Sequence, residues 1–126
     1  MNRQESFNHI CRNLISASVP SVYRDDPTRC QYRSEDGAKC VVGWLIPDEY
    51  YHPHMEGKGV LCLLDKHPEL RREVPLFQPW SIDDLETLQQ IHDNAALKWH
   101  HGMDWGSIMR ENLAKFAADN NLAMEV

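Results

Sequence analysis

Residues 30–57 read CQYRSEDGAKCVVGWLIPDEYYHPHMEG, and this stretch decides how the rest of the chain can fold. Within it, residues 30–33 and 38–41 flank the tetrapeptide Ser-Glu-Asp-Gly at 34–37. An Asp-Gly pair between two such arms predicts a β-hairpin turn, because glycine adopts positive φ without steric cost. The sequence therefore predicts a short hairpin at the centre of the chain.

An apolar run follows the hairpin, from Cys40 to Ile46, and it ends at Pro47. The run is too short for its periodicity to separate a buried strand from a buried helical turn, so both alternatives stay open. Gly43 lies in its middle, where a side chain would pack well in either structure. A glycine at such a position predicts that another backbone segment approaches closely.

Helix signals lie on both sides of this stretch. Asn2 with Glu5, and Ser81 with Asp84, have the spacing of capping boxes, in which two side chains satisfy free backbone N–H groups of the first turn. Apolar residues at helical spacing then predict helices of about 13 and about 12 residues. A third helix is predicted to begin near Asp104, and the pair Asn-Asn at 120–121 to end it in a left-handed cap.

Three amphipathic helices must share a core, and the apolar run is the segment they can close over. We predict a mainly α fold, with α+β as the alternative: one domain, 1–126, of three main helices around the central Cys- and Gly-containing stretch. Residues 21–29 contain a proline and polar side chains and predict a loop. Residues 66–80 contain three prolines, which disfavour a long element there.

Charge and composition limit the classes of function. The net charge is −6, and residues 48–126 carry seven basic and fourteen acidic side chains, which is −7. Clustered basic residues are absent, which argues against nonspecific nucleic-acid binding. No apolar run has the length of a membrane span, and the N-terminus lacks the apolar segment of a signal peptide. The sequence predicts a cytoplasmic protein with reduced thiols and without a disulfide.

The histidines and cysteines do not form the pattern of a metal site. Zinc ligands usually come in close pairs such as C-x-x-C, but nine residues separate Cys30 from Cys40. The dipeptide His92-Asp93 occurs in metal-dependent phosphohydrolases, which need further His and Asp ligands on other long helices. We therefore predict neither a metal nor a cofactor.

A catalytic thiolate needs a base or a positive neighbour, and Cys40 beside Lys39 is the nearest match. Because Cys40 begins an apolar run, burial should raise its pKa and leave it inert. The sequence therefore predicts no catalytic residue and favours a protein that is not an enzyme. The alternative is a small ligand-binding or hydrolytic protein with a site near Arg33, Cys40, His52 and His54.

Several aromatic residues stand outside continuous apolar runs, beside proline, histidine or acidic residues. Tyrosine and tryptophan are common anchors at interfaces, because they bury a large area with few torsions. The sequence predicts a turn over residues 98–103 that presents some of them. The partner-binding residues predicted on this basis are Tyr50, Tyr51, Trp99, His100 and His101.

The central stretch also resembles a group of small uncharacterised proteins of tailed phages and bacterial genomes. The shared pattern is C-x-Y-R, then G-x-x-C-x-x-G-x-L-I-P-D, then E-G, and a later L-Q-Q-I-H-D segment is similar as well. Trp44 departs from the smaller residue expected at its position. The motif residues in this chain are Cys30, Tyr32, Arg33, Gly37, Cys40, Gly43, Pro47, Asp48, Glu56 and Gly57.

This resemblance implies a context and no established activity. Together with the aromatic residues, it favours a non-enzymatic protein that acts by protein–protein interaction. The partner expected for such a phage or prophage accessory protein is a host protein that it modulates. The ligand-binding alternative requires a pocket with perturbed ionisable groups beside Arg33.

Overall fold

Residues 1–125 form six α-helices, one 3₁₀ turn and one small antiparallel sheet. The structure is a computed structural model that describes residues 1–125. Within that range, no helix combines the length and the apolar character needed to cross a lipid bilayer. The elements are α1 (Arg3–Ser16), β1 (Val22–Tyr23), β2 (Asp26–Cys30), α2 (Val41–Leu45), a 3₁₀ turn (Pro53–Met55), α3 (Val60–Lys66), α4 (Glu69–Glu73), α5 (Ile82–His100) and α6 (Trp105–Asp119).

The predicted helix boundaries are confirmed where capping residues mark them. Both capping boxes are present: Asn2 pairs with Glu5 at the start of α1, and Ser81 pairs with Asp84 at the start of α5. Asp104 caps α6 by accepting a hydrogen bond from the backbone N–H of Ser107. Polar side chains that accept from these free N–H groups compete well with water there, so the local sequence suffices to begin each helix.

The predicted end of α6 is confirmed, and the predicted length of α5 is wrong. After α6, Asn121 adopts φ 58°, the left-handed cap that the sequence predicts. Helix α5 has 19 residues instead of about 12, and it continues through His100. Its last turn, Leu97 to His100, contains no helix breaker, so the helix extends beyond its apolar stripe. The predicted turn over 98–103 is correspondingly shorter.

The three long helices share one core, as predicted. The rings of Phe7 and Phe116 stack with centroids 5.8 Å apart, which joins α1 to α6. The buried indole N–H of Trp105 donates to the carbonyl oxygen of Leu14 at 2.9 Å. Trp80, in the segment before α5, donates to the buried hydroxyl of Ser6 at 2.7 Å. The two buried tryptophans thus satisfy their polar atoms while they fill the core.

The sheet lies earlier in the chain than predicted. Residues 30–33 and 38–41 meet only in a single bridge between Arg33 and Lys39, although Gly37 does adopt φ +86° in the turn between them. The regular strands are β1 and β2, in the segment predicted as a loop. Pro27 does not prevent this pairing, because both strands of a two-stranded sheet are edge strands.

The apolar run from Cys40 to Ile46 forms helix α2 (Val41–Leu45), so of the two alternatives that the sequence leaves open, strand and helix, the structure has the helix. The Cys40 thiol caps this helix and accepts a hydrogen bond from the backbone N–H of Gly43 at 3.4 Å. A Cβ atom on Gly43 would overlap the carbonyl oxygen of Tyr32 and lie 2.8 Å from its carbonyl carbon. The predicted close approach of another backbone at Gly43 is therefore confirmed, and Tyr32 supplies it.

We expect Gly43→Ala to lower the free energy of unfolding by about 3 kcal/mol or more, since the new methyl group overlaps backbone that cannot rotate away. Urea unfolding measures this loss. Gly106→Ala is the matched control, because a Cβ there meets no atom closer than 3.7 Å. It should leave stability unchanged or slightly higher. Equal urea midpoints for the two variants would contradict the close approach.

Candidate functional site

The carboxylate of Glu56 joins three parts of the central stretch. It accepts hydrogen bonds from the backbone N–H groups of Tyr32 at 2.8 Å and Arg33 at 3.0 Å. It also accepts one from the hydroxyl of Tyr51 at 2.7 Å. A single charged acceptor with three donors is among the stronger polar links in a protein. The motif residues Tyr32, Arg33 and Glu56 are therefore neighbours, and Glu56 acts as a structural tie.

Arg33 is committed to the same framework. Its guanidinium donates to the carbonyl oxygen of Ile46 at 2.7 Å and pairs with the carboxylate of Asp48 at 2.9 Å. It also lies over the ring of Tyr51, 4.4 Å from the ring centroid. The side chain holds both ends of the segment around Pro47 and leaves little of its charge for a ligand. The motif residues Arg33, Pro47 and Asp48 thus belong to one clamp.

The tyrosines and histidines after Pro47 lie beside this clamp. The hydroxyl of Tyr50 contacts Glu73 at 3.1 Å, and that of Tyr51 contacts Glu56, so both hydroxyl groups have partners within the chain. The rings of His52 and His54 lie 4.3 Å apart on an exposed turn.

A pocket of about 300 Å³ lies between the β1–β2 hairpin, the segment 56–60 and helix α5. We call it the Asp93 pocket. It contains Cys40, as the ligand-binding alternative expects, but Arg33, His52 and His54 do not line it. Its lining residues are Tyr23, Arg29, Cys30, Gln31, Tyr32, Cys40, Glu56, Gly57, Lys58, Gly59, Val60, Gln89 and Asp93.

Asp93 is held in the pocket by its neighbours on α5 and β2. The amide of Gln89 donates to its carboxylate at 3.0 Å, and the ring Nδ1 of His92 lies 3.1 Å from the same oxygen. Burial alone would raise the pKa of Asp93, but hydrogen bonds from His92, Cys30 and Gln89 bring that pKa below its usual value. The pocket therefore contains a carboxylate that stays ionised at neutral pH.

The hydrogen bond at Nε2 of His92 determines the tautomer of the ring. The backbone N–H of Ser21 points at Nε2 of His92, with a nitrogen–nitrogen distance of 3.2 Å. Because a backbone N–H can only donate, Nε2 must accept, and the proton of the neutral ring is on Nδ1. Nδ1 consequently donates to Asp93. Both nitrogens of this buried histidine are occupied, so neither is free to act as a general base.

The same tautomer bears on metal binding. The ligand atoms of Cys30, His92 and Asp93 all lie within 4.8 Å of one another, a spacing that could surround an ion. A metal on Nδ1 would require the ring proton on Nε2, which would then face the N–H of Ser21. Two donors in contact are unfavourable, so the surrounding backbone opposes a metal at this point. That the protein holds no zinc stays a prediction.

The two cysteines of the pocket are poor nucleophiles. Burial raises the pKa of Cys40 to about 12. The pKa of Cys30 is raised by burial and further by its hydrogen bond to Asp93. A thiol becomes nucleophilic as the thiolate, which neither cysteine forms to any extent at neutral pH. Cys40 is buried and its pKa is raised, as the sequence predicts, and its lack of reactivity stays a prediction.

The predicted partner residues at the end of α5 form a separate surface. Trp99 is half-buried in the last helical turn, and His100 and His101 are exposed, with their rings 5.6 Å apart. Two exposed apolar side chains stand near them in the chain: Leu97 is 42% exposed and Met103 is 53% exposed. We call these five residues the α5–α6 corner.

Sequence reasoning did not find the polar side chains that α5 contributes to the Asp93 pocket. Gln89 and Asp93 reach β2 only through tertiary packing. Two local signals cover them: the dipeptide His92-Asp93, which suggests a metal-dependent phosphohydrolase, and the segment L-Q-Q-I-H-D at 88–93, which belongs to the resemblance and does not indicate a pocket.

We expect Glu56→Gln to lower the free energy of unfolding by about 1–3 kcal/mol, because its amide group cannot accept from all three donors and leaves at least one unpaired. Chemical denaturation measures the change. The exposed neighbour Glu49 supplies the control, since Glu49→Gln removes a charge without removing a described hydrogen bond. If both variants unfold with the wild-type free energy, Glu56 is not a structural tie.

Comparison with known proteins does not assign the chain to a family. No protein-family model, no curated protein and no solved structure matches this chain. The resemblance of its central motif to proteins of tailed phages and bacterial genomes therefore stays a prediction.

Proposed function

We propose that the protein binds a small polar molecule in the Asp93 pocket. The observation that carries the proposal is the side chain of Gln31, which lines this pocket. Its amide oxygen is buried and finds no hydrogen-bond partner among residues 1–125. Buried polar atoms are nearly always paired in folded proteins, so an unpaired acceptor beside a cavity supports a ligand that supplies the missing donor.

The size and stiffness of the pocket support this function. A volume of about 300 Å³ is at the lower limit of the range for small-molecule sites, which suits a ligand of few heavy atoms. One wall is fixed by Glu56, whose carboxylate binds the backbone of Tyr32 and Arg33. The hydroxyl of Tyr32 donates to the carbonyl oxygen of Lys58, which fixes the wall a second time. A site held in place before binding loses less conformational entropy when a ligand enters.

The thiols and the histidine of the pocket favour ligand binding over catalysis. The thiols of Cys30 and Cys40 are protonated at neutral pH, because burial raises the pKa of each. His92 has no free nitrogen for proton transfer. Hydrolysis by covalent catalysis needs a nucleophile and a base, and neither the two thiols nor His92 can serve as one. The ionised carboxylate of Asp93 already accepts hydrogen bonds from Gln89 and His92.

Occlusion of the pocket tests the proposal. Gly59 lines the pocket, and a Cβ there would meet no atom within 4 Å, so Gly59→Trp adds a bulky side chain without a backbone clash. We expect polar fragments at millimolar concentration to shift the backbone amide NMR signals of residues 30–32 and 56–60 of the wild type. Gly59→Trp should abolish these shifts, since its indole competes for the same space.

Leu61→Trp is the matched control, because Leu61 is on the same segment and is 59% exposed. It should retain the fragment-induced shifts. If no fragment of any charge shifts the pocket signals of the wild type, the protein does not act through this pocket.

A second candidate function is protein–protein interaction through the α5–α6 corner. The observation that favours it is the exposure of Leu97 and Met103, two large apolar side chains that lie within four residues of the half-buried Trp99 in the chain. Exposed apolar side chains grouped with an aromatic residue are a feature of interface centres. The partner would be a host protein, and the chain a phage or prophage accessory protein that modulates it, as the motif resemblance implies. Tyr50 and Tyr51 would belong to a different contact, since their hydroxyl groups have partners within the chain.

This second function predicts a loss of affinity at Trp99. Once a bacterial lysate has supplied a candidate partner, Trp99→Ala should weaken its binding by about 1–4 kcal/mol, the range of interface hot spots. Interferometry with the purified partner measures this, and Leu61→Ala serves as the control at an exposed site elsewhere. Because the acidic part of the chain steers encounter, added salt should slow association. Normal binding by Trp99→Ala would exclude the corner as the contact.

A further inference from the structure

We infer that the ligand of the Asp93 pocket is a small zwitterion, with an ammonium group bound at Asp93 and a carboxylate bound at Arg29. The inference rests on the proposed function and names the class of ligand that this pocket selects. It follows from three features of the pocket: its acceptors, the absence of a cation paired with Asp93 among residues 1–125, and the position of Arg29.

The acceptors require a ligand that donates. Asp93 and Gln31 both line the pocket, and the amide oxygen of Gln31 is buried without a partner among the described residues. The carboxylate of Glu56 accepts three hydrogen bonds from N–H and O–H donors, which occupy both of its oxygens. Gln89 and His92 both donate to Oδ1 of Asp93, and the third donor to Asp93 is the Cys30 thiol, which donates weakly. An ammonium group has three N–H donors and no acceptor, which suits one carboxylate and one amide oxygen together.

The charge at Asp93 requires a cation. Its only ion-pair partner within residues 1–125 is His92. That ring is neutral, because its Nε2 accepts from the backbone of Ser21. A partly buried carboxylate without a positive partner is stabilised when a cation binds next to it, more than an exposed one would be. An ammonium group therefore gains both hydrogen bonds and charge pairing at this position.

The cation of the pocket is Arg29. Its guanidinium lies over the ring of Tyr23, 4.4 Å from the ring centroid, and both side chains line the pocket. Within residues 1–125, no carboxylate lies at ion-pair distance from Arg29. The ammonium of Lys58 donates to the carbonyl oxygen of His54, so it is drawn toward the backbone. A planar guanidinium held by an aromatic ring is well suited to a carboxylate.

Opposite charges in one small pocket select against ligands with a single charge. A simple amine would gain the contact with Asp93 and lose the contact with Arg29. A simple acid would meet Arg29 but would be repelled by Asp93 and Glu56. The zwitterion is the class that satisfies both groups.

Three probes of matched length test this selection: 4-aminobutyrate, butylamine and butyrate, titrated into the protein and followed by the amide NMR signals of residues 30–32 and 56–60. Glycine and 6-aminohexanoate extend the series to find the best span. We expect the best zwitterion to bind at least about tenfold more tightly than either singly charged probe, since it makes one more charged contact.

Two variants separate the two contacts. Asp93→Asn keeps an acceptor for His92 and Gln89 and should weaken both the zwitterion and butylamine. Arg29→Gln should reduce the affinity of the zwitterion to that of the amine and leave butylamine unchanged. Arg24→Gln is the control, because Arg24 is an exposed cation of the same hairpin that pairs with Glu35 and Asp36 and does not line the pocket. Since Arg29 is exposed, its variant keeps the test valid even if Asp93→Asn fails to fold.

The outcomes distinguish this inference from the proposed function. If neutral fragments shift the pocket signals but no zwitterion binds more tightly than butylamine and butyrate, the inference is wrong and the pocket remains a binding site. Equal losses in Arg29→Gln and Arg24→Gln would likewise overturn it. If none of the probes or fragments shifts the pocket signals, the proposed function and the inference fail together.

Discussion

The contact between the peptide group of Tyr32 and Gly43 fixes the centre of this protein. The carbonyl oxygen of Tyr32 occupies the space that a side chain on residue 43 would need, and it also accepts a hydrogen bond from the backbone N–H of Cys40 at 3.3 Å. The N–H of Tyr32 donates in turn to Glu56. One residue of the chain therefore sets the distance between the strand before it, helix α2 and the segment that leads into α3.

The Asp93 pocket is a consequence of that arrangement. Glu56 and Tyr32 hold its wall with backbone hydrogen bonds, while α5 contributes Asp93 from the opposite side. The wall comes from a segment that is rigid because its polar groups are paired, and the charged group comes from a long helix anchored in the core. Sites built on such elements keep their geometry better than sites on free loops. The α5–α6 corner is held by backbone hydrogen bonds at the end of α5, but none of its five residues has a buried side-chain polar atom without a partner, which is why the pocket is the stronger candidate.

The sequence predicts those features that depend on local chemistry. The caps at Asn2, Ser81 and Asp104 are all confirmed, because a capping side chain acts on backbone within its own first turn. The close approach at Gly43 could also be predicted, since a glycine inside an apolar run loses packing and chain entropy unless a neighbouring backbone needs the space. The indole of Trp44 lies between two side chains, with the ammonium of Lys39 4.6 Å from its ring centroid and the ring of His9 edge-on at 6.4 Å.

Features that depend on distant contacts could not be predicted in this way. The sequence of β1 and β2 has the composition of a polar loop. Pro27 and the charged side chains are typical of loops, although the two segments pair as strands. The role of Asp93 depends on Cys30, more than sixty residues earlier in the chain, and no spacing rule relates the two. The sequence places the alternative site near Arg33, Cys40, His52 and His54; of these four residues only Cys40 lines the Asp93 pocket, and a site at those residues stays a prediction.

The hydrogen bonds of Glu56 also bear on the order in which parts of the chain fold. Tyr32 and Glu56 are 24 residues apart, whereas the hydrogen bond from Trp105 to Leu14 closes a separation of 91 residues. Short loops close with less loss of chain entropy and more quickly than long ones. We therefore expect the central stretch to assemble as a local folding unit, onto which the N-terminal and C-terminal helices dock afterwards. The residues that define the pocket wall would then be among the first to acquire their native contacts.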